Sequence, residues 1–549
     1  MFVKGFMGWR SAFVLLIIVL GSVNCLAADF VVTTAADSGP GTLREAVNQA
    51  NLSHGPDSIL IEESVDTIVL LSGAIEISAP LTITGRSSRS TIDGNQVAQI
   101  FRIPSGAGQV SIYNLVLRNG RATGLPDSLC ESDSAMGGAI CSVADLEIVD
   151  SVFELNASVE SGGALFVQDA SLVIRASLFR ENAAGGHGGA INHVSSTFDP
   201  QSLSSLVISE STFDSNIASS DGSLRGGALR FAGQELDIEN TAFIGNEAVS
   251  LSSSSAGGGA SIFTAIGRLN NGSFLSNRAV GTNSRGGGLD IVNGERFSVA
   301  DSSFSGNEAT IGGGLRASNP NEFWLINSTV SNNQASLRSG GVELIDVDFG
   351  FIYNSTITEN SADNPESAQG LSAGCSIFTS SGVRCEVALS SSIVSGNSST
   401  GPDWEVADTS YSYQAARPRY SLLGSGVGFM SSGPGNVFES NPRLDPLQDN
   451  GCAVPAGFPE TADCVSTHLT GSGSSAIGSG QNDLALDFDQ RGVGFPRAFF
   501  SRPSIGATDT ISGDLLNTIP VPLLQDRLMM IFFILTVAGL ALPALSRSK

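Results

Sequence analysis

Short apolar stretches recur along much of the chain, continuous in Leu206-Val207-Ile208 and alternating with a polar residue in Leu236-Asp237-Ile238. A period of two predicts short strands with one buried face. The runs are punctuated by a recurring unit: an apolar strand, Ser or Thr, Phe-x-x-Asn, a short loop, then a Gly-Gly step. Phe and Asn stay together in Phe153/Asn156, Phe179/Asn182, Phe213/Asn216, Phe243/Asn246, Phe274/Asn277 and Phe304/Asn307. Later copies carry an aliphatic residue instead, in Val330/Asn333, Ile357/Asn360 and Val394/Asn397. Glycine pairs fall between them, at Gly137-Gly138, Gly162-Gly163, Gly188-Gly189, Gly226-Gly227, Gly258-Gly259, Gly287-Gly288, Gly313-Gly314 and Gly340-Gly341. Successive asparagines are 26, 34, 30, 31, 30, 26, 27 and 37 residues apart.

One such unit cannot bury its apolar face alone, so it must stack on the next. The pattern predicts an all-β, single-stranded right-handed parallel β-helix of the pectate-lyase-like kind, with rungs about 4.8 Å apart. Equal positions then pile into files. A phenylalanine file fills the core and an asparagine file bonds the backbone at one corner. The glycine pair allows a bend with positive φ. Variable spacing fits loops of unequal length on an unchanged rung. Helical repeats require a 3.6-residue apolar period that these units lack, leucine-rich repeats require a Leu-x-x-Leu-x-Leu core, and propeller blades run to about 40 residues.

The ends differ from the body. Lys4 and Arg10, the apolar run Ala12 to Val23 and the small residues Ala27 and Ala28 read as an export signal over 1–28, with Cys25 raising a lipoprotein alternative. Residues 29–57 are expected to cap the solenoid, with a helix over Leu43 to Ala50 capped by Thr42 and closed by Glu45 in a capping box. Repeats fill 58–400. Residues 401–510 read as a C-terminal cap on the final rung, and 511–549 as a linker and tail. Within the tail, Leu528 to Leu545 is uncharged and just long enough to span a bilayer, with Arg547 and Lys549 behind it.

A net charge of −25 argues against nucleic-acid binding and favours solubility. The only lysines are Lys4 and Lys549, so the body carries positive charge on arginine alone. With Cys25 removed, six cysteines remain as close pairs: Cys130 with Cys141, Cys375 with Cys385, and Cys452 with Cys464. In an exported chain this predicts three local disulfides, each contributing about 3 kcal/mol on the chain-entropy model. The absence of Cys-x-x-Cys and the four scattered histidines speak against a metal site.

Ser38-Gly39-Pro40-Gly41-Thr42-Leu43-Arg44-Glu45-Ala46 resembles the C-S-L-R-E-A opening motif of bacterial β-helix surface proteins, with Gly-Thr in place of Cys-Ser. The Phe-x-x-Asn and Gly-Gly-Ala units resemble the repeats of polymorphic outer-membrane proteins. Asn441-Pro442-Arg443-Leu444-Asp445-Pro446-Leu447, Asp449-Asn450-Gly451, Ser466-Thr467-His468-Leu469, Ser475-Ala476-Ile477, Asp489-Gln490-Arg491-Gly492 and Ile505-Gly506-Ala507 are similar to a choice-of-anchor Q domain. Ile519-Pro520-Val521-Pro522, the apolar run and the basic end resemble an I-P-T-L-type sorting signal without its usual Trp. These resemblances imply a Gram-negative cell-surface or outer-membrane protein that meets a sorting peptidase. They also imply that the membrane holds the terminal segment before processing.

For chemistry, β-helices often act on polysaccharides. Carboxylates on neighbouring rungs about 5 Å apart would suit a retaining glycosidase. Asp346 and Asp348, read as sharing a strand face, and Asp290 after a glycine turn are the weak catalytic candidates, each weighed against an ordinary solvated outer-face residue. Arg230 and Arg316 occupy the place of Asp290 in other repeats, which predicts a mixed-charge outer ladder. Gly186-His187-Gly188 superficially matches a polygalacturonase tripeptide but lies inside the ordinary repeat, and no Asp-Asp pair accompanies it. No cofactor or metal is expected. The expected reading is a non-catalytic adhesive or exopolymer-associated surface module, whose partners are extracellular polysaccharide or a host or biofilm surface. The alternative is a carbohydrate-active β-helix enzyme.

Overall fold

The computed structural model describes residues 27–509 apart from 54, 125–128, 131–133, 197–203, 375–384, 399, 407–415, 429–432 and 498–501. The export signal up to residue 26, Cys25 and the whole 511–549 tail therefore lie outside the described residues. Among the described residues no helix is long and apolar enough to cross a membrane.

The chain forms a parallel β-solenoid of about 12 turns. A typical coil contributes four strands, such as Leu165–Gln168, Leu172–Arg175, Leu178–Arg180 and Ala183–Ala184. Each pairs in parallel with its equivalent one coil on: Leu165 with Ile191, Leu172 with Leu206, Phe179 with Phe213, and Ala183 with Ile217. Alternate side chains point inward and join one continuous apolar core from Val32 to Leu423.

Phe153, Phe179, Phe213, Phe243, Phe274 and Phe304 form one interior stack. Ring centroids are 4.6–5.0 Å apart and ring planes lie within 12° of parallel. Leu117 precedes them, and Val330, Ile357 and Val394 continue the file. The strand spacing alone therefore holds the rings at stacking distance.

The asparagines line one corner. In each coil the residue before Asn takes a left-handed φ, as Leu155, Glu181 and Ser215 do, which turns the amide inward. The amide nitrogen of Asn277 donates to the Phe243 carbonyl at 2.8 Å and to Asn307 Oδ1 at 3.0 Å. Asn277 Oδ1 accepts from the Asn246 backbone N–H and Nδ2. The same pattern joins Asn156, Asn182, Asn216, Asn246 and Asn307, and it ends where Asn397 bonds Asp403.

The glycine register differs from the sequence reading in the later copies. Positive φ occurs at Gly226, Gly257, Gly286 and Gly312, so the working pairs there are Gly257-Gly258, Gly286-Gly287 and Gly312-Gly313. The third glycines, Gly259 and Gly288, stand where earlier coils have Ala190 and Ala228. The second glycine has no alternative: a Cβ on Gly258 would lie 2.3 Å from the Gly287 carbonyl oxygen and 2.4 Å from the Arg278 nitrogen.

At the N-terminal end the helix runs Leu43–Leu52, and Thr42 accepts from the Glu45 N–H. The capping box is half formed, because the Glu45 carboxylate accepts from Gln49 at 2.8 Å. Arg44 ties the helix to the first coil through Asp37 and the carbonyls of Gly73 and Ala74. Leu43, Ala46, Val47 and Ala50 close the core.

The described residues of 441–509 pack on the last coils and also extend far back along the third-strand flank as a strap. Gly506 donates to the Ser391 carbonyl, Gln490 to that of Ser302 and Gly457 to that of Asn240. Phe458 is buried against Val152, Leu178 and Val116, and Glu460 pairs with Arg89 at 2.8 Å. Disulfides join Cys130 to Cys141 and Cys452 to Cys464. Cys375 lies outside the described residues.

Candidate functional site

Two files of side chains run side by side on the outside of the first strand of each coil. The residue before the left-handed glycine, or before left-handed Ser339 in the last of these coils, forms a corner file: His187, Arg225, Ala256, Arg285, Ile311 and Arg338, linked rung to rung through backbone hydrogen bonds. The second residue of the strand forms the other: Asn192, Arg230, Ser261, Asp290, Arg316 and Glu343. Each corner residue stands five positions before its neighbour in the strand file, so each rung brings one of each together.

Asp290 is therefore an outward residue but not a solvated one. Its side chain is 1% exposed and accepts from Arg316 at 3.1 Å. Glu343, two rungs on, is equally covered. It is bound by Arg338 at 2.8 Å and by the Ser339 hydroxyl. The two carboxylates are separated by roughly 10 Å, two rung spacings, and Arg316 occupies the rung between them.

Asp346 and Asp348 do not share a strand face. The strand ends at Ile345 and the next begins at Phe349, so both lie in the corner on either side of buried Val347. Asp346 has φ 57°, matching Asp169, Asn293 and Asn319 at the same corner of other coils. Short polar side chains tolerate this left-handed position, which explains the aspartate without chemistry.

The positive end of the two files is not neutralised. Arg230 donates to Asn192 Oδ1 at 3.0 Å. Among the described residues no carboxylate comes within ion-pair distance of Arg225, Arg230 or Arg285. Burial, then the charge of Arg225, brings the Arg230 guanidinium down to about 10, so it stays cationic near neutrality. Burial and the same two arginines push His187 down to about 4. Its Nδ1 faces the Arg225 backbone N–H at 3.2 Å, which fixes a neutral ring with the proton on Nε2.

Three further features were not legible as sites beforehand. A groove of about 380 Å³ opens near Arg102, Arg121, Gln99 and Ser72, and no carboxylate is among the described residues that line it. On the outer face of the second strands, Trp324 stacks on Phe351 at 4.0 Å, with Tyr353 beside it and the Arg296–Glu322 pair at its edge. Asp301 lies beneath the strap, where burial raises its carboxyl to about 6 against the pull of Asn327 and Arg497. His193 is wholly buried and burial pushes it down to about 4. It meets the Ala170 carbonyl and the edge of Phe231, a packing role. No group of three metal-ligating side chains occurs among the described residues.

The fold thus defines a parallel β-solenoid with a mixed-charge outer seam. No family model matches the chain, and no curated protein matches it.

Proposed function

We propose that this is an exported cell-surface β-helix protein that holds an extracellular polymer without cutting it. The observation that carries the reading is the state of the seam carboxylates. Asp290 and Glu343 are each taken up by an arginine, and Arg316 stands where a glycosidase would need a water or a sugar. Surface placement rests on the sequence: the export signal, the C-S-L-R-E-A-like opening, the choice-of-anchor Q-like segment and the I-P-T-L-like tail. On this reading a sorting peptidase removes the tail that the membrane first retains.

One observation favours a carbohydrate-active enzyme instead, the outward aromatic patch at Trp324 and Phe351 beside Glu322. The hydrogen bond from Arg296 holds the Glu322 carboxyl below its ordinary value, which suits an ion-pair partner and not a general acid. The patch fits sugar stacking without turnover. The test is release of reducing ends or unsaturated products from a polysaccharide panel by the full secreted protein. No release is expected. Turnover abolished by Asp290→Asn or Glu343→Gln would overturn the proposal.

A further inference from the structure

The cationic end of the seam holds chemistry that the polymer-holding reading leaves unassigned. In a chain of net charge −25 without lysine in its described body, three arginines gather with no carboxylate at ion-pair distance among the described residues, Asp290 beside Arg285 being bonded to Arg316. Arg225 and Arg230 share one rung and Arg285 lies two rungs on. The rung between them carries only Ala256 and Ser261, so nothing bulky separates the two cationic levels. His187 stands one rung to the other side of Arg225.

We infer that Arg225, Arg230 and Arg285, with the Nε2–H of His187, form a binding site for the oxyanion groups of an extended polymer lying parallel to the solenoid axis. The ligand class is a carboxylated or sulfated glycan. This deepens the polymer-holding reading and rests on it.

First, like charges held together without a counter-ion cost stability unless an anion joins them. Burial lowers both Arg230 and Arg285 first; Arg225 then lowers Arg230, and Arg316, ahead of Arg225, lowers Arg285. Asp290 draws on Arg285, but its bond goes to Arg316. Second, the donors are graded by depth. Arg225 is exposed, Arg285 and His187 are half-buried, and Arg230 is anchored on Asn192, so a ligand can approach from solvent and meet positioned guanidinium groups. Guanidinium offers paired N–H donors suited to carboxylate and sulfate. Third, the cationic levels are about 10 Å apart along the axis, two rung spacings. A single small anion cannot reach both, whereas a polymer with repeated charges can.

The experiment measures binding of the full secreted protein to polyuronate, dextran sulfate and neutral dextran, with chelator present to exclude cation bridging. Expected is binding to a polyanion, weakened by added salt, and none to neutral dextran. Arg225→Ala with Arg285→Ala should weaken it at least tenfold, while Arg225→Lys with Arg285→Lys retains more than the alanine pair. Arg268→Ala, an exposed arginine on another face, should change nothing. Comparing polyuronate with dextran sulfate at equal charge density assigns the oxyanion. Thermal melts of each variant, read beside the binding, separate lost contact from lost fold. Equal binding of polyanion and neutral polymer, or wild-type binding by the folded alanine pair, overturns the inference. Reducing-end release by wild-type protein would instead overturn the non-catalytic reading, and leave the site standing if the alanine pair still loses binding.

Discussion

Replacing Asn277 by alanine tests the corner file at a defined point. Its side chain makes four hydrogen bonds: with the Asn246 N–H at 3.0 Å, one Asn246 Nδ2 hydrogen at 2.9 Å, the Phe243 carbonyl at 2.8 Å and Asn307 Oδ1 at 3.0 Å, the last of which keeps the Asn277 backbone N–H as a partner. All lie at a fully buried corner, since Asn246 and Asn277 are both 0% exposed. Water cannot substitute without opening the coil. A buried group left unpaired costs about 1–3 kcal/mol. Asn246 Nδ2 keeps its second bond to Phe213, so the loss is dominated by the N–H and the carbonyl, roughly 2–4 kcal/mol in all. Asn277→Asp should be no better, because its second oxygen would face the Phe243 carbonyl and bury a charge. In a stacked fold the damage concentrates on adjoining rungs. Hydrogen exchange resolved by peptide should show the Asn246 amide losing protection first, with the Asn156 rung nearly unchanged. If Asn246 keeps wild-type protection in a folded variant, the amide file is not what holds this corner.

Four other outcomes are expected. Gly258→Ala forces a methyl group onto the backbone of the next rung and should cost more than about 3 kcal/mol, seen as lost soluble expression or a broken exchange profile around the 258–287 contact; a stable variant would refute the packing. Non-reducing peptide mapping should recover Cys130–Cys141 and Cys452–Cys464, and Cys452→Ser with Cys464→Ser should cost about 3 kcal/mol; free thiols at these positions would contradict it. Phe458→Ala should expose residues 450–465 to protease while the coils stay resistant, since Phe458 is the strap's apolar anchor on Val152 and Leu178; unchanged cleavage would show that the anchor lies elsewhere. Asp301 titrates near 6 when folded against an ordinary 3.8, so its protonated form contributes stability that is full below the ordinary value and lost as pH rises through 6. Asp301→Asn should therefore raise stability by about 2–3 kcal/mol at pH 7.5 and by nearly nothing at pH 3, read by urea melts; equal effects at both would refute the burial argument.

The solenoid was legible because stacking forces equivalent residues to repeat, and Phe-x-x-Asn survives loops of any length between copies. The same logic failed where composition was degenerate. Gly257-Gly258-Gly259 can be divided into a pair in two ways, and only φ separates them. The apolar parity switches from Val342 and Leu344 to Ile345 and Val347, a break at the end of the strand that the shared-face reading of Asp346 and Asp348 passed over. Arg44 is intelligible only in three dimensions, where one guanidinium collects the helix and the first coil. The cationic site was invisible for a different reason: it depends on the relative register of two files joined by variable loops. Arg225, Arg230 and Arg285 share no spacing that a linear search would select. The strap, lacking repeats and rich in Pro and Gly, carries no periodic signal at all.

That strap sets an order of events. A solenoid taken alone can grow coil by coil as the chain emerges, each new turn using the previous one as a template. It can also fray from its last coil just as gradually. Residues 454–461 reach Arg89 and Thr212, coils completed long before the strap itself exists. This segment, synthesised after the coils it grips, is thus a clasp that can close only when every intervening coil has the correct count and register. One missing or slipped rung, worth about 4.8 Å along the axis, would carry Phe458 past its pocket between Val152 and Leu178. Closure then reports that assembly is complete, and a protein that has closed can no longer shed coils one at a time.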